Sequence, residues 1–352
     1  MCNSTIVVLT ALLLAQQAIQ SASFLTKNPS FTCCESGIHR QRHHILNLLS
    51  DDFERQFEVS RTCSYDGDDS TATTSSHPIK YHIHNPMNLS SQKAAPILVL
   101  HGGPGVPSDY LLPLRDVVPY RSMVFYDQLG CGRSPGPESK DAYSIESSLD
   151  DLELVIKKSG LNKFHLYGQS YGGILAFEYM KRVAERQSED DNYGPKCLSA
   201  ILSSTPCDVE QVESAAGDLI AKLMEEDPQE STAMDRFQAR HACRATTTDG
   251  EKPQALADAY ERAGTPGVWR GTDSIKGWKA ATPSESSKRM PSCMVMRGEH
   301  DFVTADCVEG WKTAFNHKFV RVKELANLSH HGLLEDGTTY GAIVDSYFAE
   351  YD

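Results

Sequence analysis

The chain has 352 residues, 40% of them hydrophobic, enough to bury one sizeable core with room for a lid or small second domain. Its formal net charge of −13 leaves no basic face to neutralise phosphates, which argues against a nucleic-acid partner. Of the ten cysteines, Cys33, Cys34 and Cys63 cluster before the main body and the six from Cys131 to Cys307 are scattered without metal-ligand spacing, so no zinc site is expected and the thiols read as mostly buried and free, with scope for one or two disulfides; no cofactor is expected.

The chain opens on an apolar run, Ile6 to Ala15, followed by Ser21-Ala22-Ser23, a small-x-small cleavage pattern. Residues 1–23 are therefore expected to be a signal peptide, with an uncleaved anchor as the alternative because the n-region lacks Lys and Arg. Its removal takes Cys2 away and leaves an odd number of cysteines, hence at least one free thiol or an intermolecular bond. No later segment approaches membrane-spanning length, so no stable membrane association is expected after cleavage.

Residues 24–77 read as an N-terminal extension and linker. Phe24 to Ser50 is basic, with Glu35 its only acid. Two destinations fit that composition: a secreted or organelle-lumen protein with a basic extension, or a complex plastid reached by a two-part targeting sequence. The stretch SYDGDDSTATTSSH at 64–77 has almost nothing to bury and marks the boundary of the main body at residue 78. Lys80 to His84 then alternates as an edge strand would; His82 and His84 share its face, but without a third ligand they read as strand surface rather than metal site. Asn88-Leu89-Ser90 is a glycosylation pattern.

Ile97-Leu98-Val99-Leu100 is continuously apolar, as a strand buried on both faces of a parallel sheet must be. It runs into the glycine-rich His101-Gly102-Gly103-Pro104-Gly105. Ser122 to Tyr126 is the next strand, followed by Asp127-Gln128-Leu129-Gly130-Cys131-Gly132-Arg133-Ser134. A helix is expected from Ser144 to Ser159, with Leu149, Leu152 and Ile156 on one face. The strand Phe164-His165-Leu166-Tyr167, the turn Gly168-Gln169-Ser170-Tyr171-Gly172-Gly173 and a helix from Ile174 to Val183 follow, and then a strand at Leu198–Leu202. From Cys207 to about Lys288 the pattern becomes helical and charged, with helices expected at Leu219–Glu226 and Ala255–Ala263. Strand pattern returns at Cys293–Met296, and a helix (305–315), a strand (319–322) and a closing helix (338–351) complete the chain. This alternation predicts an α/β fold, a mostly parallel central sheet flanked by helices. Residues 78–206 and 289–352 form its core, and residues 207–288 form an inserted helical cap.

The stretch around Ser170 organises the chemistry. Glycines flanking a serine between a strand and a helix permit a turn so sharp that the hydroxyl is presented at the carboxyl edge of the sheet. A serine needs a base, an acid to orient that base, and an oxyanion hole. Loops at the carboxyl ends of parallel strands converge on one edge, and two of them carry Arg297-Gly298-Glu299-His300-Asp301 and Asn327-Leu328-Ser329-His330-His331-Gly332. The order Ser, Asp, His is that of an α/β-hydrolase. Ser170 is the expected nucleophile, His330 the base and Asp301 the acid, with Glu299 and His331 as runners-up. The N–H groups of Gly103 and Tyr171 are the expected oxyanion donors. A serine in this turn, rather than an aspartate, points to acyl transfer.

HGGPG at 101–105, YDQLGCGRS at 126–134, GQSYGG at 168–173, GEHD at 298–301 and NLSHHGLLED at 327–336 together resemble the proline iminopeptidases and related amino-acid amidases, peptidase family S33. The likeness covers roughly residues 78–352, and RFQARHACR at 236–244 and GTDSIKGW at 271–278 extend it into the cap. In that family the base precedes two variable residues and a later acidic pair, a register that His330 fits with Glu335 and Asp336. The resemblance implies an α/β-hydrolase with a helical cap that releases N-terminal residues, often proline, and holds the substrate's α-ammonium with cap glutamates. Where the family carries an acid after the catalytic aspartate and another before the GT-x-K-x-W stretch, this chain has Phe302 and Val268. Glu299, Asp273, Glu261 and the Glu225-Glu226-Asp227 run are the possible substitutes. Glu299, Phe302 and Trp269 are thus the candidate substrate-binding residues.

The leading expectation is a serine exopeptidase acting on short peptides. An amidase or esterase for small acyl substrates is the alternative, separated by whether a free α-amine is required. A catalytically silent ligand-binding hydrolase fold is the reading from another class; an intact Ser170, Asp301 and His330 weigh against it.

Overall fold

The computed structural model describes residues 53–64, 72–89, 93–187, 194–246, 251–264, 267–268, 275–281, 290–315 and 320–352. The signal-peptide segment, the whole basic stretch from Phe24 to Ser50, Trp269 and Asp273 lie outside the described residues. Eight strands form one sheet: β1 (Phe53–Cys63), β2 (Thr73–His84), β3 (Ile97–Leu100), β4 (Met123–Tyr126), β5 (Lys163–Gln169), β6 (Lys196–Ser203), β7 (Ser292–Gly298) and β8 (Val320–Leu325). Their spatial order is β1-β2-β4-β3-β5-β6-β7-β8, with β1, β2 and β4 paired antiparallel and every pair from β4 to β8 parallel.

The continuous apolar runs follow from burial on both faces. Leu98, Leu100, Val124, Leu166 and Leu202 point into one core, while Ile97, Val99, Phe125, Tyr167 and Ile201 point into another. Alternate residues of one strand serve opposite faces, so every position must be apolar. Helices α1 (Ile145–Ser159) and α2 (Tyr171–Arg186) cover the first face, and the closing helix of the chain covers the second. Ser144 caps α1 through its hydroxyl, which accepts from the Ser147 N–H at 3.1 Å, and Gly160 ends it at φ 75°.

The sheet begins earlier than the boundary expected at residue 78. β1 lies wholly within the segment read as extension, and it pairs with β2 over eleven residues, from Phe53 opposite Ile83 to Cys63 opposite Thr73. Phe57, Val59 and Cys63 alternate onto the buried face, an apolar signal diluted by the polar partners Glu58, Ser60 and Thr62. In consequence β2 is not an edge strand, because β1 covers it. His82 stacks on Phe125 at 5.0 Å. The seven described cysteines are free thiols, all buried except the half-buried Cys197.

Between β6 and β7 the chain forms helices α3 (Val209–Glu226), α4 (Glu230–Phe237) and α5 (Gln254–Glu261), with a π-helical turn at Gln238–Ala242 joined to α4. Arg262, just past α5, fastens this excursion to the segments that follow β3 and β4: its guanidinium pairs with Asp109, and its carbonyl accepts from the Gly132 N–H at 2.9 Å. Arg133 holds the same Asp109 at 2.9 Å and Asp127 at 3.1 Å.

At the opposite rim, fully buried Arg121 bonds Asp345 at 2.9 Å and Asp352 at 2.7 Å, and Asp352 also accepts from the Ala95 N–H at 2.7 Å and meets His165 Nε2 at 3.1 Å. Burial holds the His165 imidazole down at about 4, so it sits there neutral. For Asp352, burial raises the carboxyl pKa, but the bonds from Arg121, Ala95 and His165 outweigh it and hold the group below its ordinary range. A carboxyl depressed in the folded state stabilises fully above its unfolded value of about 3.9 and loses that contribution as pH falls through the folded value. Asp352→Asn is expected to lower unfolding stability in urea by about 1.5–3 kcal/mol at pH 7. The gap between the two proteins should close below roughly pH 4, as the wild-type carboxylate protonates.

Candidate active site

Ser170 sits between β5 and α2 with φ 54° and ψ −121°, a conformation that L-residues rarely adopt. Its neighbours make the strain possible. A Cβ on Gly168 would lie 2.4 Å from the Gly172 carbonyl oxygen, and one on Gly172 would lie 2.2 Å from that of Leu100. The strand and helix therefore touch backbone to backbone, and the Ser170 N–H donates to the Ser203 carbonyl at 2.8 Å. The side chain, having no room inward, opens into a cavity of about 190 Å³.

Asp301 and His330 converge on the same place from the loops after β7 and β8. His330 Nδ1 lies 2.9 Å from Asp301 Oδ1, which also accepts from the Val303 N–H at 2.9 Å. Asp301 Oδ2 is buried with no hydrogen-bond partner among the described residues, so the carboxylate's charge bears chiefly on the imidazole. His330 lines the cavity alongside Ser170, and no hydrogen bond joins the two side chains among the described contacts. The Gly103 and Tyr171 N–H groups are likewise without a protein acceptor among the described contacts, and both residues line the cavity.

The remaining candidates separate. Glu299 is exposed and occupied, its Oε2 accepting from the Asn327 N–H at 2.9 Å, and it is not part of the cavity wall. His331 lines the cavity, edge-on to Tyr110 at 5.1 Å and to His330 at 5.3 Å. Burial, with His330 and Lys252 adding to it, pushes its pKa well below the ordinary histidine range, and Asp301 bonds its neighbour instead. Phe302 stacks on His330 at 4.2 Å and 24° and lines the cavity. Val268 is buried against the glycine loops, where it would meet a Cβ on Gly105 at 2.9 Å, and is absent from the cavity wall around Ser170.

Residues 95–336 match the alpha/beta hydrolase fold family. The chain belongs to that family. Among α/β-hydrolases it is similar to the proline iminopeptidase of Saccharolobus solfataricus, 28% identical over 71% of this chain and 84% of the relative. A proline iminopeptidase of Thermoplasma volcanium is 28% identical over 75% of this chain and 92% of its own length. Of solved structures, the Mycobacterium smegmatis proline iminopeptidase superposes with a TM-score of 0.64 at 23% identity, over 83% of this chain and 98% of that one. An esterase from Exiguobacterium antarcticum superposes at 0.57 with 16% identity, over 77% of this chain and 96% of that one, a likeness of fold alone.

The hydrolase site is also organised by residues other than the expected nucleophile, base, acid and oxyanion donors. Tyr110 Oη accepts from the Gly102 N–H at 2.8 Å and donates to Gln169 Oε1 at 2.7 Å, while Gln169 Nε2 donates to the His330 carbonyl at 3.3 Å. One buried chain of bonds thus ties the HGGPG loop, the residue before Ser170 and the His330 loop. The π-helical turn contributes from the other side: the His330 and His331 N–H groups donate to the carbonyls of His241 and Ala242 at 3.2 and 2.9 Å. His101, fully buried, accepts from the Gln128 N–H at Nε2 (2.9 Å), so its Nδ1 carries the proton and donates to the Gly102 carbonyl at 2.9 Å. Glu213 of α3 is a further wall residue that motif reading did not single out. Tyr110→Phe would leave the Gly102 N–H and Gln169 Oε1 buried and unpaired, and is expected to cost about 1–3 kcal/mol in urea unfolding.

Proposed function

We propose that this α/β-hydrolase is a serine peptidase that removes N-terminal residues, preferentially proline, from short peptides through an acyl-enzyme. The observation that carries the reading is the strained Ser170 opening into one cavity with an imidazole whose far nitrogen is bonded to Asp301 at 2.9 Å. In this reading Ser170 Oγ adds to the scissile carbonyl carbon while its proton passes to His330 Nε2. The resulting oxyanion takes hydrogen bonds from the Gly103 and Tyr171 N–H groups. Collapse of the adduct breaks the C–N bond, and His330 returns the proton to the departing amine. Water then attacks the ester, giving its proton to His330, and the acyl group leaves as a carboxylic acid while Ser170 recovers its hydrogen.

Asp301 holds the imidazole in the tautomer with Nδ1 protonated and stabilises the charge that His330 acquires. Phe302 fixes the ring plane by stacking, a contact worth about 0.5–1.5 kcal/mol. The cavity, at about 190 Å³, is smaller than the roughly 300–1,000 Å³ usual for drug-sized ligands, which favours a single small acyl residue. The similarity to proteins named proline iminopeptidase supports the choice of peptides. Phe302, standing where the resemblance leads one to expect an acid, favours the second reading, an amidase or esterase indifferent to an amine.

Release of a fluorogenic arylamine from L-prolyl and L-alanyl derivatives separates these readings. Free-amine substrates should turn over, with prolyl ahead of alanyl; Ser170→Ala should fall to background and Asp301→Asn should lose on the order of 10⁴-fold in kcat. Equal turnover of acetylated substrates or simple esters would establish the amidase or esterase reading instead.

A further inference from the structure

The turn that ends α4 reaches both halves of the acid–base pair. Its five residues, Gln238–Ala242, are wound wider than an α-helix, and the Cys243 N–H returns to the Gln238 carbonyl at 2.9 Å. Such widened turns are rare and gather at functional sites. Gln238 and Ala242 line the cavity of Ser170, but His241 does not. Its ring goes instead to the loop after β7, where Nδ1 stands 2.8 Å from the His300 carbonyl. A carbonyl only accepts, so Nδ1 is the protonated nitrogen and donates.

That carbonyl belongs to the peptide joining His300 to Asp301. On the other side, the carbonyl of His241 itself accepts from the His330 N–H at 3.2 Å, as the free carbonyls of a helix end can. One residue of the excursion therefore holds the acid's loop with its ring and the base's loop with its backbone. A second path runs alongside. Phe237, fully buried, meets the His241 ring at 5.7 Å and the Phe302 ring at 5.7 Å, and Phe302 lies on His330. Burial, with His300 and Arg240 adding to it, lowers the His241 pKa against the pull of the His300 carbonyl and Asp301. The ring is thus neutral and sets no cation beside Asp301 to compete with His330.

The two loops are also joined directly, by the Glu299 N–H on the Leu325 carbonyl at 2.9 Å and the His300 N–H on the Leu328 carbonyl at 2.8 Å. Those bonds bring the loops together without the excursion. What the His241 ring adds is the orientation of the peptide that carries Asp301. We infer, resting on the acyl-transfer reading of Ser170, that His241 is a positioning residue whose ring keeps the Asp301–His330 bond aligned, so that acid and base are in register only while the excursion is seated on both loops. A misplacement of about 1 Å at such a pair costs on the order of 10²-fold in rate.

The test pairs steady-state kinetics on L-prolyl arylamide with proton NMR. His241→Leu and His241→Phe remove the donor, the latter keeping a ring against Phe237, while His241→Asn supplies an amide nitrogen in place of Nδ1. The two variants without a donor should lose about ten- to a hundredfold in kcat with KM within about twofold of wild type, and His241→Asn should recover most of the loss. The far-downfield resonance of the proton between His330 Nδ1 and Asp301, identified by its absence from His330→Gln, should vanish or move in the first two and persist in His241→Asn. Near-ultraviolet circular dichroism establishes that each variant is folded. If a folded variant without the donor keeps its kcat and its resonance, or if His241→Asn is impaired as severely, the inference is overturned while the acyl-transfer reading stands. A rise in KM at unchanged kcat overturns it too, making His241 a determinant of cavity shape, and failure of both donor-free variants to fold makes it a residue of stability alone. If Ser170→Ala keeps its turnover, the acyl-transfer reading fails, and the resonance still decides whether His241 aligns Asp301 with His330.

Discussion

The site depends on one backbone constraint, the positive φ of Ser170. A side chain reaches φ 54° and ψ −121° only when its flanks force it there. Here the force is close contact: Gly168 against Gly172, Gly172 against Leu100, and Gly173 against Thr205, where an added Cβ would come within 2.0 Å of the hydroxyl oxygen. Because β3, β5 and α2 meet at these glycines, the hydroxyl can point only toward the carboxyl edge of the sheet. The HGGPG loop that ends β3 is brought beside it by the same contact. Geometry that would be strained in isolation is held by the packing of three elements.

A second layer converts proximity into alignment. Tyr110 and Gln169 link the HGGPG loop to the loop of His330, and the carbonyls of His241 and Ala242 hold that loop from the side of the helical excursion. The excursion is itself anchored by Arg262 on Asp109 and by the Gly264 N–H on the Gly105 carbonyl at 2.7 Å. The segment between β6 and β7 is therefore a structural partner of the His330 loop as well as a wall of the cavity. Two aromatic contacts then fix the imidazoles: Phe302 lies flat on His330, and Tyr110 stands edge-on to His331. Of the adjacent histidines, His330 has a carboxylate partner, while the His331 ring meets those of Tyr110 and His330 among the described residues.

Much of the fold is legible in the chain because its physics is local. Ile97–Leu100 and Met123–Tyr126 are apolar at every position, which only burial on both faces explains, and the structure places both, with the strand before Ser170, in the parallel part of the sheet. Ser144 and Gly160 bracket α1 as capping chemistry requires. β1 is different: its alternation is interrupted by arginines at 55 and 61, and its strand character comes from pairing with β2 rather than from its own pattern. Strand pairing is a property of two segments at once, so neither segment announces it alone.

Composition and spacing by themselves determined the α/β architecture, the sharp turn at Ser170 and the order of Ser170, Asp301 and His330, because glycine sterics, two-face burial and loop convergence are each written in a few neighbouring residues. Which histidine meets Asp301, that Glu299 turns away to the Asn327 N–H, and that Glu213 lines the cavity with its Oε1 unbonded among the described residues were decided only by tertiary structure. Glu213 was within reach of the helical period of α3, which marks it as an acid in an apolar stripe. What that stripe faces is set by where the helix docks, and docking depends on contacts between residues far apart in the chain.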